Sequence, residues 1–408
     1  MSDKVLRKII IVCFLVLLFI TFSFRKTKNS VDEVSSSKTN EYKDNKSNEV
    51  VTENTLKFIA TGDALIHTNI FTSAKTNLGY DFSNQVKYIK PIIKNYDLAF
   101  YNQETLFAGE DIKYSGYPRF NTPSQFGDAM IDAGFNIVSL ANNHSFDKGE
   151  QGIINTVNYW ESKPVMWNGI SKDHNESSQI SIKEKNNITY ALIAYTTFTN
   201  GHNTPSQTKV NYYSYNKAKS DIEMIKDKVD VIIVSIHWGI EFSHEVNSKQ
   251  KNIAQELSDL GVNIIIGHHP HVLQPIEKIN NTLVIYSLGN FISDQDTSSK
   301  LTGALVSFDI KKDINSNTVS IGVPEVELTY TFKGSPYNGF TVVPFNQINQ
   351  QTLINSKEIY DEGLKIVTEL DKNVIVKPMN SLAPLKIYSR QQAMMIVFSW
   401  IQKVITPQ

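Results

Sequence analysis

From Leu56 onward, short apolar runs alternate with stretches whose apolar residues recur at helical spacing. The runs LKFIAT, DLAFY, FNIVSLA, ITYALIAY, DVIIVSIH, VNIIIG, TLVIYSL and ALVSFDI read as strands. Several are continuous rather than alternating, as expected of strands buried on both faces. Between them, SQFGDAMIDAG, GEQGIINTVNYWES and NSKQKNIAQELSDLG read as helices. Thr122 or Ser124 is placed to cap the first, and Gly261 to end the third. Strands alternating with helices predict a layered α/β domain. After about residue 340 the pattern turns polar and helical and closes on QQAMMIVFSWIQKVI. That segment is too short to span a bilayer and reads as a docked amphipathic helix.

The pattern before Leu56 is different. Residues 9–24, IIIVCFLVLLFITFSF, carry no charge and follow Lys4, Arg7 and Lys8. At about 1.5 Å per residue they span about 24 Å, and flanking Lys and Arg residues can snorkel to reach a hydrocarbon core of about 30 Å. No small-residue cleavage site follows, so an uncleaved membrane anchor over 1–25 is expected, with a cleaved signal peptide as the alternative. Residues 26–54 are Ser, Lys, Asn, Glu, Asp and Thr with scattered Val, too polar to offset ordering entropy, and read as a disordered stalk. The expected organisation is therefore anchor, stalk, an α/β domain over 55–335 and a helical C-terminal extension over 336–408.

Composition changes little. An apolar content of 41% supports a sizeable core, and a net charge of −1 excludes the basic field that would recruit nucleic acid. The sole cysteine, Cys13, lies in the apolar run, so the folded part holds neither disulfides nor thiolate metal sites.

Chemistry collects where the strands end. LKFIAT runs into Gly62-Asp63, DLAFY into Asn102-Gln103-Glu104, and FNIVSL into Asn142-Asn143-His144 with Asp147 behind. DVIIVS runs into His237-Trp238-Gly239 and Glu241, VNIII into Gly267-His268-His269-Pro270-His271, and TLVIYS into Gly289-Asn290. Ligands of open α/β sheets bind outside the carboxyl ends of strands. Unrelated turns would favour Gly, Asn and Asp but have no general demand for histidine. Carboxylate, amide and imidazole without thiolate suit two divalent ions, Mn, Fe or Zn, and a pair of ions can serve both the attacking and the leaving oxygen. His269 and His271 alternate, so an extended backbone would point both to one face and turn His268 away as a supporting residue.

In this order, GD, NxE, ANNHxxDxG, HWGxE, GHHPHVxQ and YSLGNF resemble the CapA family of poly-γ-glutamate capsule biosynthesis proteins. That family is similar to the calcineurin-like metallophosphatases, which implies a four-layer α/β/β/α sandwich. The resemblance implies metal ligands at Asp63, Glu104 (as bridge), Asn143, His237, His269 and His271. It also implies a proton donor, His144, oriented by Asp147. His67, Asn102, Arg119, Glu241, His268 and Asn290 are candidates to support the ligands or to meet substrate, Arg119 through a carboxylate. Two positions depart from the metallophosphatase pattern: Leu65 stands where a histidine is usual, and Glu104 where the bridging residue is usually Asp. The implied function is a surface-anchored, metal-dependent hydrolase or transferase acting on anionic poly-γ-glutamate beside other membrane proteins of a capsule synthesis complex. A non-catalytic polymer-binding or export component, or a phosphoesterase unrelated to capsule, are the alternatives.

Overall fold

The computed structural model describes residues 52–173, 180–200 and 209–379. The expected anchor, nearly all of the expected stalk and the closing QQAMMIVFSWIQKVI lie outside them. No helix among the described residues is long and apolar enough to cross a membrane.

Each of the eight apolar runs forms a strand. The strands of the two main sheets begin with β1 (Glu53–Ala64), β2 (Leu98–Gln103), β3 (Ile137–Ser139) and β4 (Met166–Asn168). Next come β5 (Ile182–Lys185), β6 (Ile188–Thr196), β7 (Val231–His237), β8 (Ile264–His268), β9 (Ile276–Ile279) and β10 (Thr282–Ile285). The chain continues with β11 (Asn290–Ile292), β12 (Thr302–Asp313), β13 (Glu325–Lys333), β14 (Phe340–Pro344) and β15 (Ile375–Val376). One sheet runs β14-β13-β12-β1-β2-β3-β4, with β11 beside the end of β1 and β15 beside β13; the other runs β9-β10-β8-β7-β6-β5. The longer helices are α1 (Gln125–Ala133), α2 (Gly149–Glu161), α3 (Tyr215–Ile225), α4 (Ser248–Asp259) and α5 (Ser356–Val367).

Successive residues of one strand enter different cores, which is why the runs are apolar throughout. Phe58 and Phe100 of one sheet pack with Ile233 and Ile266 of the other. Their neighbours Ile59 and Ala99 turn outward onto Met130, Ile153 and Trp160 of α1 and α2. Val234 and Ile265 turn outward onto Ala218, Ile222 and Leu257 of α3 and α4. Each large apolar side chain buried in this way contributes about 1.5–3 kcal/mol, so a polar residue on either face would be strongly disfavoured. The result is helices, sheet, sheet, helices.

Three expectations need correction. The strand begins before the stalk was expected to end: Glu53 pairs with Asp313 on β12, and Lys311 Nζ sits 2.7 Å from the Glu53 carboxylate. The sheet also continues past residue 335, because β14 and β15 both pair with β13, so the region after 335 is not purely helical. At α1, Ser124 occupies the capping position without a side-chain bond, while the Thr122 hydroxyl donates to Thr105 Oγ1 at 2.7 Å. Helix α3, capped by Ser214, escapes the periodicity reading because its apolar face is short. Gly261 does follow α4 in a left-handed conformation, φ 94°.

Candidate metal centre

Register brings the strand ends together. On β1, Asp63 stands opposite Asn102 of β2 on one side and Asn290 of β11 on the other. A Cβ at Gly62 would stand 1.8 Å from the Gly289 carbonyl oxygen, so only glycine allows the approach that lets Asp63 N–H donate to Gly289 at 3.0 Å. The Asp63 carboxylate is then held from several directions. Asn102 Nδ2 donates to Oδ1 at 2.9 Å, and the backbone N–H of His269 donates to Oδ2 at 3.2 Å. His268 Nδ1 lies 3.0 Å from Oδ1 but off the line a hydrogen bond needs, its ring stacked 5.5 Å from Phe100.

Two ligand groups meet at one carboxylate. Glu104, His237 and His269 offer atoms all within 4.8 Å of one another, and so do Asp63, Glu104 and His271. Glu104 Oε1 lies 3.6 Å from His237 Nε2 and 3.5 Å from His271 Nε2. A third group joins Glu241, His269 and His271, with Glu241 exposed at the mouth and the histidines buried.

The route to this arrangement differs from the expected one. His269 and His271 do not lie on an extended strand; β8 ends at His268, and both residues are left-handed, with φ 99° and 57°. The turn around Pro270, rather than strand alternation, brings both imidazoles inward. Nor does His268 turn away from the site. It points to the same side as its register partner His237 and reaches Asp63.

Electrostatics follows from burial of five ionisable groups. Burial alone would raise the Asp63 carboxyl, but His268 and His271 hold it well below the usual carboxylate range. Burial pushes Glu104 well above that range, against the attraction of His271. His237 is held low by burial and by His269, and His269 is pushed down to about 3 by burial and by His271. Burial would lower His271 too, but the Glu104 and Asp63 carboxylates carry it up to about 9. Glu104 and His271 thus hold a proton between them at neutral pH, while His237 and His269 keep neutral rings able to ligate a metal.

The donor set fits divalent ions. Both carboxylate oxygens of Glu104, both ring nitrogens of His237, His269 Nδ1 and Asn143 Oδ1 are buried without a hydrogen-bond partner among the described residues. An unpartnered buried polar atom typically costs about 1–3 kcal/mol, so orphans of this kind sharing one cluster call for a partner that a cation supplies. His271 shows the arrangement expected of a ligand: Nδ1 is 2.9 Å from Asn290 Oδ1, which leaves Nε2 facing Glu104.

His144 stands apart from the ligand groups. Its Nδ1 is 2.8 Å from Asp147 Oδ2, which also accepts the Phe120 N–H at 2.7 Å, and its ring meets Phe120 edge-on. Arg119 is exposed, with Nε donating to the Asp147 carbonyl oxygen at 2.9 Å. His67 joins none of the ligand groups; its Nδ1 sits between the Leu65 carbonyl and the Asp294 N–H, and burial lowers it to about 4. Leu65 itself is buried and offers no ligand. The strand-end reading missed the turn after β6. There Asn200 N–H donates to the Asn143 carbonyl, its side-chain amide lies 3.4 Å from His144 Nδ1, and Phe198 packs on His269. The polar sequence Thr196-Thr197-Phe198-Thr199-Asn200 carries the same signal as the other strand ends. A separate polar cavity of about 200 Å³, lined by Trp167, Asn168, Lys183 and Asn211, contains none of the candidate ligands.

Residues 57–295, more than half of the chain, match the family described as bacterial capsule synthesis protein PGA_cap. The PGA biosynthesis protein CapA of Bacillus subtilis (strain 168) is 34% identical over 190 residues, 45% of this chain and 49% of that protein. The capsule biosynthesis protein CapA of Bacillus anthracis is 27% identical over 278 residues, 65% of this chain and 66% of that protein. The chain thus spans between about half and two thirds of the length of these curated relatives. Among solved structures, one described as a novel phosphatase from Mycoplasma pneumoniae shares 16% identity at a TM-score of 0.43, covering 67% of this chain and 93% of that one. With the matched span running through every strand end that carries a candidate ligand, the chain belongs to the bacterial capsule synthesis protein family PGA_cap.

Proposed function

We propose that this protein is a membrane-anchored, cell-surface hydrolase or transferase of capsule synthesis that uses two divalent metal ions and acts on poly-γ-glutamate. The observation that carries the reading is Glu104, whose carboxylate lacks a hydrogen-bond partner and belongs to two ligand groups. The names of the Bacillus relatives supply the polymer and the pathway. Ions held there would polarise a substrate carbonyl and favour nucleophilic attack on it. The protein's own residues do the rest. Asp147 fixes the His144 ring through Nδ1, so Nε2 is the atom left to pass a proton to the departing amine nitrogen. Asn290 fixes His271, and Asn102 fixes Asp63, so the ligands are aimed before any ion arrives.

The anchor is assigned to the charge-free run at 9–24, with the α/β domain outside the cell and other membrane proteins of the synthesis complex as partners. Protease shaving of intact cells checks the topology: a chain that survives shaving but is cut after lysis has the opposite orientation.

A second reading is favoured by Leu65, which removes a ligand usual in metallophosphatases: the cleft binds or guides the polymer without cutting it. The deciding experiment takes the detergent-purified full chain, measures its metal content, and incubates it with poly-γ-glutamate and with a generic phosphomonoester. Bound divalent ions with shortening of the polymer are expected. A metal-loaded protein that leaves the polymer intact points to binding alone, and cleavage of the ester only points to a phosphoesterase.

A further inference from the structure

Asp147 organises more than a histidine. Its carboxylate holds His144, while its backbone oxygen accepts from Arg119 Nε at 2.9 Å. Arg119 is pinned from its other side as well, because Ser115 Oγ donates to its carbonyl oxygen at 2.6 Å. The guanidinium is therefore exposed yet held through Nε, and among the described residues no ion pair joins it to an acid. The next residue along from Asp147 is Lys148, half-buried, and no hydrogen bond or ion pair holds its ammonium among the described residues. Burial and the nearby Arg119 charge both push the Lys148 amine below its ordinary range. The Asp147 carboxylate attracts Lys148, but its Oδ2 is held by His144 and by the Phe120 N–H, and its Oδ1 is buried. Burial and Arg119 outweigh that attraction, and an anionic ligand at the exposed guanidinium would relieve the repulsion between the two cations.

We infer that Arg119 and Lys148 form a carboxylate-binding subsite beside His144, which seats the carboxylate on the leaving side of the scissile amide. The inference rests on the hydrolase reading proposed above and names what that site grips. In a γ-linked glutamate chain the amide nitrogen is bonded to the carbon that bears the α-carboxylate. A proton donor aimed at the nitrogen therefore has a carboxylate only two bonds away from its target. Arg119 and His144 are fixed to the same residue, so gripping the carboxylate also aligns the nitrogen with His144 Nε2. Arg119 supplies the planar fork that matches a carboxylate, and Lys148 adds a point charge.

The test compares binding of a short γ-linked oligoglutamate and of its α-carboxamide counterpart to the metal-loaded full chain, with Arg119→Ala, Arg119→Lys and Lys148→Ala. Each alanine variant should weaken oligoglutamate binding about tenfold, the size of one charge-assisted hydrogen bond, and flatten its salt dependence. Binding of the carboxamide should be weak in the parent and unchanged by the substitutions, and metal content should stay constant. Arg119→Lys should recover part of the loss. Equal losses with both probes, unchanged oligoglutamate binding in the variants, or no binding by the parent would each overturn the subsite. A parent that cleaves polymer while Arg119 and Lys148 prove irrelevant removes only this inference. A parent that never cleaves, yet loses binding in the variants, removes the hydrolase reading and leaves the subsite standing.

Discussion

Glu104 Oε1 lies 3.5 Å from His271 Nε2, and both groups are fully buried. No hydrogen bond satisfies either Glu104 oxygen, so the carboxyl sits in the protein as an acceptor awaiting a cation. Glu104→Gln keeps the shape and removes the charge. Metal binding should fall from two ions toward one or none. The metal-free protein should lose little stability, because the variant keeps the side chain's shape and breaks no hydrogen bond. The increase in Tm on adding Mn²⁺ should shrink accordingly, since a ligand stabilises only as far as it binds the folded state. An undiminished metal content in this variant would remove Glu104 from the centre.

Metal uptake should release protons. His271 is carried up to about 9 by Glu104 and Asp63, against the effect of burial, so at neutral pH a metal competes with a proton for its ring. The sign is fixed: as pH falls below about 9 the proton is held more tightly, and apparent affinity should drop about tenfold per unit for one displaced proton. His237 and His269 are already low and add no such term at neutral pH. Calorimetry in two buffers of different ionisation enthalpy counts the protons. A pH-independent affinity between 6 and about 9 would contradict the assignment of His271 as a ligand.

Asn290 should matter more than an amide at the end of a strand ordinarily does. Its Oδ1 is 2.9 Å from His271 Nδ1, and its Nδ2 donates to the Lys300 carbonyl at 2.8 Å and to Gln295 Oε1 at 2.9 Å. Asn290→Ala frees the His271 ring to rotate, and metal affinity should fall about 10–100-fold. Asn290→Asp keeps an acceptor for Nδ1 and should recover much of that affinity. Equal losses in both variants would show that the hydrogen bond to His271 is not what matters.

What was legible in the sequence was whatever depends on short-range pattern. Runs such as DVIIVSIH announce themselves because Ile233 and Val234 each enter a core, one on either side of the strand. The polar residues at the strand ends were visible for the same reason, as an abrupt stop to apolar sequence. What escaped depends on backbone direction and tertiary contact. Alternation placed His269 and His271 on one face of a strand, whereas the chain leaves β8 at His268 and turns through two left-handed residues around Pro270. The pairing of Glu53 with Asp313 was invisible, because a polar segment becomes a strand here only by borrowing the register of β12. Asn200 lies 3.4 Å from His144 Nδ1 across a turn that follows β6, and no local pattern links positions 56 residues apart.

His144 and His269 should fail in different ways. His269 belongs to a ligand group with Glu104 and His237, so His269→Ala removes a metal bond, and metal content and turnover should fall together. His144 belongs to no ligand group; its Nδ1 is committed to Asp147 at 2.8 Å. His144→Asn should therefore leave the ions bound and polymer binding largely intact. General acid catalysis is typically worth about 10²–10⁴-fold, so turnover should drop by about that factor while KM changes little. Metal analysis, polymer binding and polymer shortening measured on the same preparations separate the two cases. The comparison also decides between cutting and carrying. A cleft that only binds polymer has no use for a proton donor held by a buried carboxylate. If cells with His144→Asn make capsule as well as the parent while those with His269→Ala do not, the metals serve to grip the chain and the hydrolase reading falls.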